Sequence, residues 1–269
     1  MTVEVLIAAM HQSGPALADR MNVQGSAVIA NQGDEYSYGE YVSGSGGTVK
    51  SITTATRGVG KNRNIALIHA SGEYCLLADE DEVLSDDYVH VIADAFEGLP
   101  RADVLIFNVE TTGSGLRSSR PIRRVQRGRL WNSLNYGAAS IAFRRSTLIR
   151  ANVWFSVLFG GGAKYSAGED SLFLAECFQK GLRIYKRPEI IAVTDSSSST
   201  WFEGYTEKYF MDRGAFFRAM SGRLAGPLCI QDAWRHRNRP GPLTWRQGLR
   251  LMLKGAALYA DRVVVNERE

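Results

Sequence analysis

The chain has 269 residues, 45% of them hydrophobic and 22% charged, with three cysteines and a formal net charge of +4. At roughly 100–200 residues per domain, that is one large domain or a domain with an extension, able to bury a core without disulfides or a structural metal. Intrinsic disorder, collagen and a small disulfide scaffold are excluded.

Residues 1–10 are apolar but interrupted by Glu4 and lack a basic leader, so they read as a buried strand and not a signal peptide. Residues 3–9 and 26–30 are predicted strands, with a helix between them around 15–21. Residues 36–47, rich in Gly, Ser and Tyr, read as a loop. Residues 61–70 have helical character, and Gly72 stops them. Residues 74–78 form a short apolar strand that runs into Asp79, Glu80, Asp81 and Glu82. A helix at 88–96, a buried strand at 103–109, a Gly/Ser/Arg loop at 113–129 and a strand at 138–144 follow. Residues 170–180 are a helix ended by Gly181; 183–186 and 190–194 are two further strands, and 196–199 is a polar loop. This alternation predicts an α/β fold on a mixed, mostly parallel sheet flanked by helices. Past residue 205 only helical signals continue, with a connector at 235–242. The predicted division is a domain over 1–205 and a helical extension over 206–269.

No apolar run reaches the roughly 18–20 residues that span a bilayer. Cys75, Cys177 and Cys229 are widely spaced, which favours a reducing cytoplasm and disfavours a zinc site. The layout of charge says more than the net value. Residues 111–167 contain no acid, yet carry Arg117, Arg120, Arg123, Arg124, Arg127, Arg129, Arg144, Arg145, Arg150 and Lys164. Such a field either faces solvent or gathers an anionic partner.

Three local patterns carry chemistry. Carboxylates at the carboxyl end of a strand in an open α/β sheet lie where ligands bind. Asp79-Glu80-Asp81 is such a group, and hard divalent ions join such oxygens. Glu169-Asp170 falls at a helix start, where acids cap the helix or serve as a general base. Arg57-Gly-Val-Gly-Lys61-Asn-Arg63-Asn64 could bring backbone and cations to phosphates, although it lacks the Gly-Lys-Ser/Thr ending of a Walker loop. His11, His69, His90 and His236 show no paired metal-ligand spacing.

In order and spacing these patterns resemble the family 2 glycosyltransferases of the GT-A fold. Arg63-Asn64-Ile65-Ala66-Leu67, then Ala70-Ser71-Gly72-Glu73-Tyr74, is similar to the family's Arg-Asn stretch and its Ala-x-Gly-Glu-Tyr ending. A strand, a D-x-D motif at Asp79-Glu80-Asp81 and an Glu-Asp motif at Glu169-Asp170 follow. The similarity covers roughly residues 3–200. Asn31-Gln32, residues 160–165 and Ser199-Thr200-Trp201-Phe202 further resemble a subgroup of bacterial capsule and exopolysaccharide clusters.

The resemblance implies an inverting hexosyltransferase that uses a nucleotide-sugar donor, a UDP-sugar, and Mg²⁺ or Mn²⁺. Asp81 and Asp79 would hold the metal. Ala9, Asn31, Gln32, Asp34, Arg57, Arg63, Asp79 and Glu80 would hold the donor. Asp170 would be the general base and Glu169 would orient acceptor hydroxyls. The family's base-contacting Asp-Asp-Gly-Ser is replaced by Asn31-Gln32-Gly33-Asp34; an amide can still pair with uracil. The arginines of 117–129 would hold an anionic glycan acceptor such as a polyprenyl diphosphate-linked oligosaccharide; nucleic acid is not an expected partner. Arg246, Arg250 and Lys254 form a basic stripe on a helix over 244–263, beside Trp245, Leu249, Met252, Leu253 and Ala256. That helix either packs on the domain or lies on anionic lipid at the inner face of the plasma membrane. The rival readings are a sugar-phosphate nucleotidyltransferase and a non-catalytic module that binds anions or glycans.

Overall fold

The computed structural model describes residues 2–12, 14–112, 121–195, 204–238 and 243–266. β1 (Val3–Met10) is buried along nearly its whole length, as a strand covered on both faces must be. Glu4, its one acid, is buried too, and its carboxylate accepts from the Gly72 N–H at 2.7 Å and the Ser71 hydroxyl at 3.2 Å. A charge that interrupts an apolar strand thus pins the loop before the next central strand.

α1 (Gly14–Arg20) leads to β2 (Ser26–Gln32), β3 (Ser37–Val42) and β4 (Thr48–Thr54). α2 (Val59–His69), β5 (Tyr74–Asp79), β6 (Glu82–Leu84), α3 (Tyr88–Gly98) and β7 (Val104–Thr112) follow. Next come β8 (Gln126–Arg127), α4 (Leu130–Ser133), a 3-10 turn at Ala138–Ser140, β9 (Ile141–Arg144) and α5 (Arg145–Ala151). α6 (Glu169–Gln179) and β10 (Ile184–Asp195) precede three helices, α7 (Glu207–Ser221), α8 (Ala225–Arg235) and α9 (Trp245–Asn266).

The sheet order is β3-β4-β2-β1-β5-β9-β7-β10-β6, with β8 paired to β10. β1 pairs in parallel with β2 on one side and β5 on the other, so successive connections leave it in opposite directions. A switch of this kind opens a crevice at the carboxyl ends of the strands. Across it Ala9 is in register with Asn31, Met10 with Gln32 and Ala8 with Asp79. Strand register thus brings four of the predicted donor-side residues, Ala9, Asn31, Gln32 and Asp79, to one end of the sheet. One core lies on the face that includes Leu17, Tyr88 and Phe96; a second, on the other face, includes Leu67, Phe155 and Phe173.

Three expectations change. The predicted loop at 36–47 contains β3, an edge strand antiparallel to β4. β3 is exposed on both faces, so its sequence lacks the apolar alternation that marks a half-buried strand. The two strands read at 183–186 and 190–194 are one, β10, with register shifts between Lys186 and Ala192 around Pro188. The strand predicted at 138–144 opens with the 3-10 turn. Part of the 113–129 loop, the 196–199 run, Ser199 to Phe202 and part of the 235–242 connector lie outside the described residues.

The chain divides into two compact units, Met1–Val157 with Glu169–Ser198, and Leu158–Gly168 with Ser199–Glu269. In the second, α7 and α9 cross with their backbones nearly touching. A Cβ on Gly214 would fall 1.8 Å from the Met252 carbonyl oxygen, and one on Gly255 2.0 Å from that of Met211. The loop 158–168 packs Phe159 and Tyr165 on Tyr259, and the Ser166 N–H and hydroxyl donate to Asp212. Among the described residues, no helix is long and apolar enough to cross a membrane. All three cysteines are free and buried.

Candidate active site

β5 ends at Asp79, and the tight turn Glu80-Asp81 passes the chain into β6. α2 brings Arg63 against this turn, and the start of α6 brings Glu169 and Asp170. The Arg63 guanidinium is 4% exposed and ties all three elements together. One nitrogen donates to Asp79 Oδ1 at 2.9 Å; the other donates to Asp170 Oδ1 at 2.6 Å and Glu169 Oε1 at 3.2 Å. Its flat face lies 5.3 Å from the Phe155 ring centre, and Phe155 stacks on Phe173 at 4.2 Å. Burial works against the charge of Arg63, yet Asp170, Asp79 and Glu169 outweigh it and hold the group charged beyond its ordinary range. The sequence assigned Arg63 to the donor; its described hydrogen bonds are all to carboxylates, and it joins the D-x-D turn to the Glu-Asp pair.

Asp170 also accepts from the Ala138 N–H, at 3.1 Å through Oδ2. Its carboxyl is pushed up to about 7, chiefly by burial; Arg63 opposes the shift, and Glu169 and Asp79 add to it. A carboxyl poised near neutrality suits a general base.

The other predicted residues are distributed around the crevice. Asp81 is exposed and accepts from the Thr194 hydroxyl at 3.4 Å. Glu80 Oε2 accepts from the Met10 N–H at 3.1 Å, closing the end of β1. The Ala9 carbonyl accepts from Asn62 Nδ2 at 3.0 Å. Asn31 is buried, and its amide is engaged by the protein: Oδ1 accepts from the Gln12 N–H, and Nδ2 donates to the Gln12 carbonyl and Thr53 hydroxyl. Gln32 Oε1 accepts from the Gly58 N–H at 2.9 Å. Asn31 thus braces the crevice wall, and Gln32 spends its oxygen on the entry to α2. Asp34 and Arg57 stay at the surface as a loose pair at 3.5 Å.

Sequence reasoning missed Glu82. It is 3% exposed, its Oε2 has no hydrogen-bond partner, and burial, with help from Asp79 and Asp81, pushes its carboxyl well above the ordinary range. The signal was the alternation Glu82-Val83-Leu84, which puts Glu82 and Leu84 on one face of β6 with Val83 opposite. The hard carboxylate oxygens of Asp79 and Asp81 at this turn are of the kind that Mg²⁺ or Mn²⁺ takes. Among the described residues no group of three or more His, Cys, Asp or Glu is placed to hold a metal ion by itself. A cation there would complete its shell with water and phosphate oxygens.

The predicted acceptor-side arginines Arg123, Arg124, Arg127 and Arg129 are exposed, while Arg117 and Arg120 lie outside the described residues. Beside the turn a cleft of about 220 Å³ opens between β6, β7, the 3-10 turn and β10. Gly137 and Thr194 are on its wall.

The sequence pattern of the family described as "Glycosyl transferase family 2" matches residues 31–155. No curated protein matches the chain. Among solved structures it is similar to S. aureus TarS 1-349 in complex with UDP-GlcNAc, at 15% identity and a TM-score of 0.62, covering 97% of this chain and 92% of that one. It is likewise similar to the TarS 1-349 complex with UDP, at 16% identity and a TM-score of 0.58, covering 88% of this chain and 72% of that one. Against a longer S. aureus TarS chain, at 16% identity and a TM-score of 0.58, the match covers 89% of this chain and 44% of that one. Residues 31–155 thus match the glycosyl transferase family 2 pattern, and the chain that carries them has a GT-A fold.

Proposed function

We propose that the chain transfers a sugar from a nucleoside diphosphate sugar, a UDP-sugar, to a hydroxyl of a glycan or lipid-linked acceptor, with inversion, in polysaccharide synthesis. The observation that carries this reading is the single Arg63 guanidinium that binds Asp79, Glu169 and Asp170 at once. It couples the turn suited to a metal-bound diphosphate to a carboxyl poised as a base. The bound UDP-GlcNAc and UDP of the TarS structures support the choice of donor.

Asp79 and Asp81 would hold Mg²⁺ or Mn²⁺, which when bound offsets charge on the leaving diphosphate. Asp170 takes the proton from the acceptor hydroxyl. That oxygen bonds to the anomeric carbon, and the bond to the diphosphate oxygen breaks, its electron pair leaving with the nucleoside diphosphate. Arg63 and the Ala138 N–H fix the Asp170 carboxylate in place, and Glu169 orients the acceptor hydroxyls. Calorimetry with UDP-GlcNAc, with and without Mn²⁺, tests the donor half. Metal-dependent binding, weakened at least about tenfold in Asp81→Ala, is expected. Binding that ignores both metal and substitution would remove Asp81 from the donor site. Tight glycan binding without turnover would favour the binding-module reading.

The second unit supports contact with an anionic bilayer. Between Arg213 and Ala260 the one acid, Asp232, is buried against Arg213 and His236. Arg235, Arg237, Arg246, Arg250 and Lys254 are exposed beside exposed Ile230, Trp234, Trp245, Leu253 and Leu258. Leu249, Met252 and Ala256 turn inward, so Trp245 and Leu253 leave the predicted apolar face. Thr244 and Gln247 exchange hydrogen bonds at the start of α9, fixing the stripe on a capped helix. Each basic residue near an anionic surface contributes about 1 kcal/mol. Flotation with phosphatidylglycerol vesicles should fall about 100-fold in R246E/R250E/K254E. Equal flotation would reject the lipid role.

A further inference from the structure

The arginine-rich stretch carries an apolar feature that sugar transfer does not use. After β8 the chain passes through Gly128 into the single turn α4, where Trp131 is 78% exposed. Leu130 beside it and Val125 before it are exposed as well. Apolar side chains scattered singly over a surface are ordinary, but three on one short segment mark a contact.

The turn is held firmly from beneath. The Arg129 N–H and the Ser133 hydroxyl both donate to Asn132 Oδ1, at 2.9 and 3.0 Å. Lys186 of β10, itself almost wholly buried, donates from Nζ to the Asn132 carbonyl at 3.1 Å. The Ser171 hydroxyl of α6 donates to the Leu134 carbonyl just after the turn. A Cβ on Gly128 would stand 3.0 Å from both Ile184 Cγ2 and Ser133 Oγ, so the entry to the turn is close-packed too. A fixed backbone therefore holds Trp131 out in water.

The charge on this segment has one sign. Arg123, Arg124, Arg127 and Arg129 are exposed, and the sequence from 111 to 167 contains no acid. On β10, the strand that β8 pairs with, Glu189 is the acid of residues 183–194, and Arg187 holds it at 2.6 and 3.0 Å. The Arg129 guanidinium lies 5.5 Å from the Trp131 ring centre, which places a cation directly beside the exposed ring. A partner that fits presents negative charge with an apolar layer just behind it. A soluble polyanion offers the first without the second. An anionic bilayer offers both: phosphates that Arg holds through paired N–H donors, and an interfacial zone that favours Trp.

We propose that the β8–α4 segment is a membrane wedge in the first unit. Trp131 and Leu130 enter the headgroup–acyl boundary of an anionic bilayer, and Arg123, Arg124, Arg127 and Arg129 bind its phosphates. The inference depends neither on the basic stripe of α9 nor on the sugar that is transferred.

The test is Trp fluorescence of the full chain on phosphatidylglycerol vesicles, with brominated acyl chains as contact quenchers, alongside flotation. The substitutions fall on exposed side chains, where the fold tolerates change. Trp131→Phe keeps an apolar ring and removes the fluorophore, so it should float as wild type does and lose part of the quenching. Trp131→Ser should bind about tenfold more weakly, and R127E/R129E about 30-fold or more. Phosphatidylcholine vesicles should bind wild type more weakly than phosphatidylglycerol. Repeating the series in R246E/R250E/K254E tells the two surfaces apart: Trp131 quenching that persists there supports the wedge by itself. Wild-type protein that ignores phosphatidylglycerol, or quenching that Trp131→Phe leaves unchanged, would overturn the proposal. So would a loss of binding in R127E/R129E that Trp131→Ser does not share, because the arginines would then bind charge without insertion.

Discussion

Asp170→Asn is expected to lower sugar transfer by about 10²–10⁴-fold, the usual contribution of a positioned general base. The carboxyl sits between Arg63 and the Ala138 N–H, and burial brings it up to about 7. Below that pH it carries its own proton and cannot accept another. The wild-type rate should therefore rise through about pH 7 and level off above it. The variant's residual rate should be flat across the same window, because an amide does not titrate there. The measurement is a pH–rate profile of both proteins, with UDP affinity determined alongside so that lost chemistry is separated from a lost site. A variant within tenfold of wild type, or one that keeps the limb near pH 7, would move the role of base to another group.

The parts of this site that the sequence disclosed are those whose side chains announce a fixed backbone context. An apolar strand ending in acids, as at Tyr74–Asp79, has few places in an α/β sheet other than a central strand with its carboxyl end at a crevice. Glu169-Asp170 before an apolar helix marks a helix start. The hidden parts depend on what faces what. Asn31 reads as a free amide until the Gln12 backbone and Thr53 are seen to occupy it. β3 gives no apolar alternation because it is a solvated edge, and β10 is divided in the sequence by Pro188 although the ladder to β7 continues past it. Glu82 is one of a run of four acids, and the pairing of β6 with β10, which no local pattern marks, accompanies its burial. Arg63 was visible, but its 106- and 107-residue reach to Glu169 and Asp170 was not.

That long reach makes Arg63 the residue whose loss should damage stability most. Arg63→Met is expected to cost about 3–5 kcal/mol, the range for breaking a buried ion pair from one side, because Asp79, Glu169 and Asp170 are left facing one another. Asp79 is partly exposed, so water relieves some of its share. The sign of the pH dependence distinguishes this cause from simple loss of packing on Phe155. Asp170 has its folded-state pKa raised from 3.8 to about 7 even with Arg63 present, and removing the cation raises it further. Between those values the native state keeps a proton that the unfolded chain has released, so stability falls as pH rises. The deficit of Arg63→Met against wild type should accordingly be smaller near pH 5 than near pH 8 in urea denaturation. Arg63→Lys restores the charge but not the fork that spans three carboxylates, and should recover only part of the loss. Adding Asp170→Asn to Arg63→Met removes one of the facing charges, so the double variant should be more stable at pH 8 than Arg63→Met alone. A deficit that is the same at both pH values, and unmoved by the second substitution, would assign Arg63 a packing role and detach the D-x-D turn from the Glu-Asp pair.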